Sequence, residues 1–462
     1  MNTQPSASPD SDSLAAAKSY NDQGYACFCR GNRTGALDYY LKALAIRERV
    51  LGENHPDTAE LYNNIGLACD SLGNYHEAVA YYRKAVAIRE KVLGKEHPDT
   101  AESYNNIGVA YGDMGNYAEA LAYHLKALAV REKKFGKEHA VTALSYLNIG
   151  SAYHGQSEDS KALDSFFKAL AIYKKVFGEE HASVVLVYNN IADIYTRQGN
   201  YSKALDYYFK ALSVWEKVQT EEGLDLAAVL YANIGQACYE LGNSPRALEY
   251  YLKSLAIREK RSGANHPDTA TLCSAVGRIY TLQGDFSDAL KYYLKALPIR
   301  EKVLGALHPD TAILYHQVGY LYGVQGDYSL AMDYSLKALP TYEKSDGVSH
   351  ANKADLYSQI GYLYGIRGDY SQALAFQFKA LAVREKSLGT AHPDTALSYG
   401  HIGSLYEAQG DYSHALEYLQ KALAVYTREY GRDNEYTRAV EQEIELIKEL
   451  QSGAKQADGA GD

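Results

Sequence analysis

Histidine recurs through this chain in a way that first suggests metal chemistry. It stands at His55, His97, His139 and His181, gives way to Leu224, and returns at His266, His308, His350 and His392. The step is 42 residues, except for one of 43 between His181 and Leu224. Zinc needs its ligand atoms about 2 Å from a single ion. Side chains one helix-packing step apart, about 8–10 Å, do not converge on one point. Most of these histidines precede Pro-Asp, as in His97-Pro98-Asp99. That order reads as an N-cap, a proline at the first helical position, and an acid that favours the helix dipole. The cysteines are equally unreactive in pattern. Cys27, Cys69 and Cys238 share a slot with Tyr111, Tyr153, Tyr195 and Tyr280, and Cys273 takes the slot of Tyr62. They read as core fillers, with only Cys29 outside the scheme. Serine, histidine and aspartate follow the period, whereas a catalytic site is one asymmetric cluster. No Gly-rich phosphate loop, His-Glu-x-x-His or nucleophile elbow is present. The expectation is a protein with no enzyme activity, no cofactor and no metal.

Recognition chemistry is the better reading. Asparagines fill one column of the period at Asn64, Asn106, Asn148, Asn190 and Asn233, and Asn63, Asn105 and Asn189 precede three of them. Asparagine is a poor helix former, so such a run needs a reason. A carboxamide donates and accepts, so a row of them can hold an extended peptide backbone regardless of its side chains. The alternative is that the amides bond neighbouring helices. The column continues as Ala275, Gln317, Gln359 and His401. Along the same face, the early repeats carry Glu60, Glu102, Asp70 and Asp113. The middle carries Arg197 and Arg278. The late repeats carry Tyr320, Tyr362, Leu282, Val324 and Ile366. Two binding segments are expected, one polar and one aromatic.

Each period contains two helical patterns. In the second repeat, Tyr62, Ile65, Gly66 and Cys69 share one face of the first helix. Gly73-Asn74 makes the turn. Ala78, Tyr82, Ala85 and Val86 line the inner face of the second helix, and Gly94 suits a left-handed C-terminal position. Alanine fills all ten places of the Ala36 column. Glycine fills nine of ten in the Gly24 column, with Ala192 the exception. Glycine inside a helix costs about 1 kcal/mol against alanine, so its repetition implies close backbone approach between paired helices. Arginine recurs at Arg47, Arg89, Arg131, Arg258, Arg300 and Arg384, with Tyr173, Trp215, Tyr342 and Tyr426 in the remaining places. These are expected to pack neighbouring repeats with glutamate partners. Pro298 and Pro340 lie inside second helices and are expected to bend them. Gly155-Gln-Ser-Glu-Asp replaces the usual Gly-Asn-Tyr turn in repeat four.

The pattern Tyr62-x-x-Ile65-Gly66-x-x-Cys69, then Ala78-x-x-x-Tyr82, resembles the tetratricopeptide repeat (TPR), with tyrosine in the tryptophan slot. The 42-residue period, with its Ile-Arg-Glu-Lys-Val-Leu-Gly-x-x-His-Pro-Asp segment, resembles the kinesin light chain subtype. The resemblance implies an all-α, right-handed α-solenoid superhelix of about ten TPR helix-turn-helix repeats plus a C-terminal capping helix. Repeats are expected over 14–434, opening near residues 14, 56, 98, 140, 182, 225, 267, 309, 351 and 393. A capping helix is expected over 435–451, with disordered tails over 1–13 and 452–462. The resemblance places the Asn64 face on a concave groove that binds peptide segments of partner proteins. The residues it assigns to that role are Asn63, Asn64, Asn105, Asn106, Asn148, Asn189, Asn190, Arg197, Asn233, Arg278, Tyr320 and Tyr362. From the second repeat onward, the columns of Glu60 and Asn63 contain no lysine or arginine. This argues against the capture of chaperone C-terminal carboxylates that basic relatives perform. Acidic cargo peptides have only Arg197 and Arg278 to meet them. The function expected is a non-catalytic adaptor or scaffold. A motor-cargo adaptor like kinesin light chain and a regulatory sensor array are the alternatives. Kinesin heavy chain is the weaker candidate partner, because about 13 residues precede the repeats and no N-terminal coiled coil is read there.

Composition bounds these readings. The 462 residues are 46% hydrophobic and 23% charged, with a net charge of −10. No basic stripe suggests nucleic acid, and the acidic balance does not suit anionic lipid. The N-terminus lacks the basic and apolar regions of a secretory signal. No segment approaches the roughly 18 apolar residues of a membrane span. Five cysteines without a Cys-x-x-Cys pair fit a reduced, cytoplasmic protein.

Overall fold

The computed structural model describes residues 9–219, 223–344 and 348–458. The chain divides into two compact units at Ala247/Leu248. The first unit holds α1 (Pro9–Cys29), α2 (Arg33–Leu51), α3 (Pro56–Ser71), α4 (Tyr75–Val92), α5 (Pro98–Asp113) and α6 (Tyr117–Phe135). It continues through α7 (Ala140–Gly155), α8 (Asp159–Phe177), α9 (Ala182–Arg197), α10 (Tyr201–Val218) and α11 (Leu224–Glu240). Helix α12 (Ser244–Arg261) begins at its end and lies mostly in the second unit. There follow α13 (Pro267–Gln283), α14 (Phe286–Leu304), α15 (Pro309–Val324), α16 (Tyr328–Lys344) and α17 (His350–Ile366). The last are α18 (Tyr370–Leu388), α19 (Pro393–Ala408), α20 (Tyr412–Tyr430) and α21 (Glu435–Asp458). No strand occurs among the described residues.

The helices begin where the repeat punctuates them. His97 is the N-cap of α5, its Nδ1 accepting from Asp99 N at 3.2 Å, with Pro98 in the first turn. His55, His266, His308 and His392 do the same, and His139 and His181 cap α7 and α9 without a following proline. At α17, Ser349 is the cap instead of His350. Gly94 closes the second repeat at φ 91°, as expected of a residue without Cβ.

Within each unit every pair packs as a hairpin, and first helices of successive pairs touch. Helices α3, α5, α7, α9 and α11 form such a row in the first unit, as do α15 and α17 in the second. Each unit is therefore a solenoid stack of helix pairs. The alanines of the Ala36 column are all buried. The glycine column has two reasons: at Gly319 and Gly361 the backbone approach expected for it, with a Cβ 3.1 Å from Ala331 O and 3.0 Å from Ala373 O, and in earlier repeats a ring of the partner helix. A Cβ on Gly66 would stand 2.5 Å from the Tyr82 ring, and one on Gly150 would stand 2.5 Å from the Phe166 ring. At these two positions the missing methyl makes room for an aromatic ring of the partner helix.

Repeats are joined by the Arg-Glu of the recurrent Arg-Glu-Lys. Arg89 Nη1 donates to Asp99 O at 2.8 Å and Ser103 Oγ at 2.7 Å. Arg131 reaches Ser145 Oγ at 2.9 Å and Asn105 Oδ1 at 3.3 Å. The adjacent glutamates accept from the next repeat's tyrosine, as in Tyr62 to Glu48 (2.6 Å) and Tyr399 to Glu385 (2.7 Å). Serines and carbonyls thus join the glutamates expected as arginine partners.

Two expectations change. Helix α1 starts at Pro9, so residues 9–13 of the expected tail are helical. Helix α21 runs to Asp458, past the expected end at Gln451. Its apolar Val440, Ile444 and Ile447 pack into the final core. Tail residues 1–8 and 459–462, and residues 220–222 of the 43-residue step, lie outside the described residues. Pro298 and Pro340 lie inside α14 and α16, which continue through them.

Candidate functional site

The asparagines of the first unit are spent on the stack. Asn64 Nδ2 donates to Asn21 Oδ1 at 3.1 Å, Asn106 to Asn63 at 3.2 Å, Asn148 to Asn105 at 2.9 Å and Asn233 to Asn189 at 3.2 Å. Each bond crosses one repeat. The acceptors Asn63, Asn105 and Asn189 are buried, and the donors are half-buried. This corrects the expectation that Asn63, Asn105 and Asn189 line an accessible groove: successive first helices pack closely enough to cover them. The ladder has one gap. Asn190 follows Leu147, which offers no oxygen, and it makes no hydrogen bond among the described residues.

Arg197 is also engaged. It ion-pairs with Asp159 and donates to the His154 carbonyl and to Ser157 Oγ. It thereby clamps the irregular turn of repeat four, where Ser157 takes φ 62°. The rest of this unit's face is acidic. Asp57, Glu60, Asp99 and Glu102 line a 480 Å³ pocket with Arg89, Asn63 and Asn64. Further along, burial and the nearby Asp113 push Asp70 up to about 6.

The second unit differs. Arg278 is exposed on α13. Tyr320 and Tyr362 are 43% and 58% exposed. They meet across a 530 Å³ pocket over α15, α17 and α19, walled also by Val324 and Leu397. The pocket's polar lining comes from His316, Gln317, Asp355, Ser358, Gln359, Arg384 and His401. Of these, Gln317, Gln359 and His401 continue the asparagine column, while His316 and Ser358 occupy the column of Asn63. The next place in that column is Gly400.

Three departures from the repeat build this pocket. The ring column that runs Tyr40, Tyr82, His124, Phe166, Tyr208, Tyr251 and Tyr293 becomes Ser335 and Gln377 in repeats eight and nine. Gln359 turns its Nε2 to Ser335 Oγ at 2.8 Å, and Gln377 Nε2 donates to Ser358 O at 3.0 Å. Second, the arginine column supplies Tyr342, whose hydroxyl lies 3.2 Å from His316 Nδ1. Third, Arg384 is buried and binds Asp355 Oδ1 at 2.8 Å, Ser398 Oγ at 2.7 Å and Ser358 Oγ at 3.2 Å. Burial lowers His316 to about 4, against smaller opposing pulls from Asp355 and Gln359. Burial and then Arg384 lower His401. Both imidazoles are neutral at pH 7. His401 Nδ1 is buried without a hydrogen-bond partner. A buried polar atom left this way costs about 1–3 kcal/mol, so it calls for water or another polar group.

Sequence reasoning found Tyr320 and Tyr362 but missed His316, Asp355, Ser358, Arg384 and Leu397 as their neighbours. The available signal was the loss of the aromatic ring at Ser335 and Gln377. No group of His, Cys, Asp or Glu suited to a metal occurs among the described residues. None of the described helices is long and apolar enough to cross a membrane.

A tetratricopeptide repeat model matches residues 15–91, 71–133, 99–175, 161–217, 225–302, 271–344 and 349–440. The chain belongs to the tetratricopeptide repeat family. Arrays of this family are generally protein–protein interaction scaffolds, and no catalytic family is indicated. No curated protein matches the chain. Among solved structures it is similar to the TPR-like repeats of a putative kinesin light chain from Podosopora anserina. Identity there is 23%, over 45% of this chain and 97% of that one, with a TM-score of 0.40. It is similar to apo RapI at 20% identity, over 62% of this chain and 98% of that one, with a TM-score of 0.46. A signal transduction ATPase with numerous domains from Pyrococcus horikoshii, which carries a TPR sensor, matches at 18% identity. That match covers 88% of this chain and 57% of that one, with a TM-score of 0.53. This last likeness supports the fold.

Proposed function

We propose that the protein is a non-catalytic, cytoplasmic adaptor that captures an extended segment of a partner protein on the α15–α17–α19 face of its second unit. One contrast carries the reading. In the first unit the column amides satisfy one another across repeats. In the second unit the ladder stops, and the same columns turn Gln359 to Ser335 and leave buried His401 Nδ1 without a partner, beside exposed Tyr320 and Tyr362. Buried polar atoms at the base of an aromatic-walled pocket suit a segment that offers both apolar side chains and hydrogen bonds. The asparagine ladder of the first unit holds the stack, and its acidic face is a secondary contact surface.

Selection of binders from a displayed random-peptide library, followed by hydrogen exchange on the full chain, tests this. Bound peptide should slow exchange in α15, α17 and α19. Protection confined to α3–α9, or to second helices, would refute it.

A further inference from the structure

We propose that the acidic face of α3 and α5 docks a basic segment of a partner protein, one that carries arginine or lysine; this surface is distinct from the α15–α17–α19 site. The carboxylates of Asp57, Glu60, Asp99 and Glu102 stand around one 480 Å³ pocket. Each side chain is more than half exposed. The two arginines beside them are 11% exposed and already engaged. Arg47 donates to Asp57 O and to Glu60 Oε2 at 3.1 Å. Arg89 donates to Asp99 O and Ser103 Oγ and stands 3.6 Å from Glu102. Lys18, one repeat before Glu60 on α1, is the only base in the Glu60 column. The accessible charge over α3 and α5 is therefore negative, and a cationic partner complements it.

Three further features point to a cation borne by a polypeptide. One wall of the pocket is apolar, formed by Val92, which is 50% exposed, and Leu93. An apolar wall below a carboxylate rim matches the hydrocarbon stem and charged head of lysine or arginine. Second, Asn63 is 4% exposed and lines the same pocket. The ladder bond uses only its Oδ1, which accepts from Asn106 and Ser103. Its NH2 has no acceptor among the described residues, and a free donor there suits a backbone carbonyl and opposes a bare metal ion. Third, Asp70 and Asp113 stand in the last turns of α3 and α5, which hold no basic residue. The helix dipole disfavours acids at that end. Burial and the charge of Asp113 also push Asp70 up to about 6. These acids cost the free protein stability, and a cation laid along the face relieves that cost.

The test uses the full chain and three fluorescent peptides of one sequence, which carry arginine, citrulline or glutamate at the same positions. Citrulline keeps the shape of arginine without its charge. The arginine peptide should bind at least about tenfold more tightly than either of the others and should slow hydrogen exchange in α3 and α5. Glu60→Gln with Glu102→Gln keeps both acceptors and should weaken that peptide about fivefold or more. Glu249→Gln with Glu417→Gln, on α12 and α20, changes the net charge equally and should leave affinity within about twofold. Asp70→Asn removes a repelled charge. It should raise the melting temperature of the free protein while weakening the arginine peptide about threefold or more, two shifts that a merely structural aspartate would not combine. Equal binding of the citrulline peptide overturns the proposal. So does an equal loss in both glutamine pairs, which would mean diffuse attraction to a chain of net charge −10. Protection outside α3 and α5, or a lowered melting temperature with unchanged affinity in Asp70→Asn, overturns it as well. None of these results bears on the α15–α17–α19 site.

Discussion

Replacing Gly66 with alanine sets two effects of opposite sign on one methyl group. In an unobstructed helix interior the change gains about 1 kcal/mol. At Gly66 the added Cβ would lie 2.5 Å from one Tyr82 ring carbon and 2.7 Å from the next. Tyr82 is fully buried, so the ring cannot swing into solvent and α4 must shift. Overpacking of this kind costs about 1–3 kcal/mol, and a contact this short belongs at the upper end. The net expectation is a loss of about 2 kcal/mol. Gly400 supplies the control. It lies within α19 with nothing within 4 Å of its Cβ position, so Gly400→Ala should gain close to the full 1 kcal/mol or so. Repeat arrays do not unfold strictly in two states, so the assay is native-state hydrogen exchange. Opening free energies should fall in α3–α4 for Gly66→Ala and rise in α19 for Gly400→Ala. If Gly66→Ala leaves α3–α4 as well protected as the parent, the ring-accommodation argument is wrong.

Three other outcomes follow from the same geometry. Asn106→Ala removes the donor to buried Asn63 Oδ1 and should cost about 1–2 kcal/mol, whereas Asn190→Ala, at the ladder gap, should be neutral or stabilising; denaturant titration compares them. Burial pushes His124 down to about 4 from its ordinary 6.5, so it folds in the neutral form. Its contribution is whole above about pH 6.5 and is lost as pH falls toward 4, by about 2 kcal/mol at pH 5. His124→Tyr, matching Tyr82 in the same column, should flatten that loss in melts at pH 7.5 and pH 5. Ser157 holds φ 62°, a conformation costing a non-glycine residue about 1 kcal/mol. Ser157→Gly should raise the melting temperature slightly, and a lowered one would show that the Arg197 contact dominates there.

The repeat period, helix starts and caps were legible because they depend on local signals. His97, Pro98 and Gly94 act within one turn of their own positions. The irregular turn of repeat four was equally visible, and it became the Arg197 clamp. The asparagines were misread for a physical reason. A helical wheel for one repeat places Asn63 and Asn64 together on the unpacked side. Which of them the next repeat covers depends on the offset between stacked helices, and a single wheel omits that offset. The pocket was harder still. It requires the ring column to shrink at Ser335 and Gln377, the ladder to lose its acceptor at Gly400, and Arg384 to be drawn to Asp355, all in neighbouring repeats. Each departure alone looks like ordinary variation, and only packing brings them together.

Calorimetric titration of one library-selected peptide against Tyr362→Ala and Asn106→Ala tests the division of labour most directly. Loss of an exposed aromatic anchor should weaken binding about tenfold or more, while loss of a ladder amide should leave affinity within about twofold, at a cost to stability alone. The reverse ranking, with Asn106→Ala abolishing binding and Tyr362→Ala silent, would return the binding site to the asparagines of the first unit.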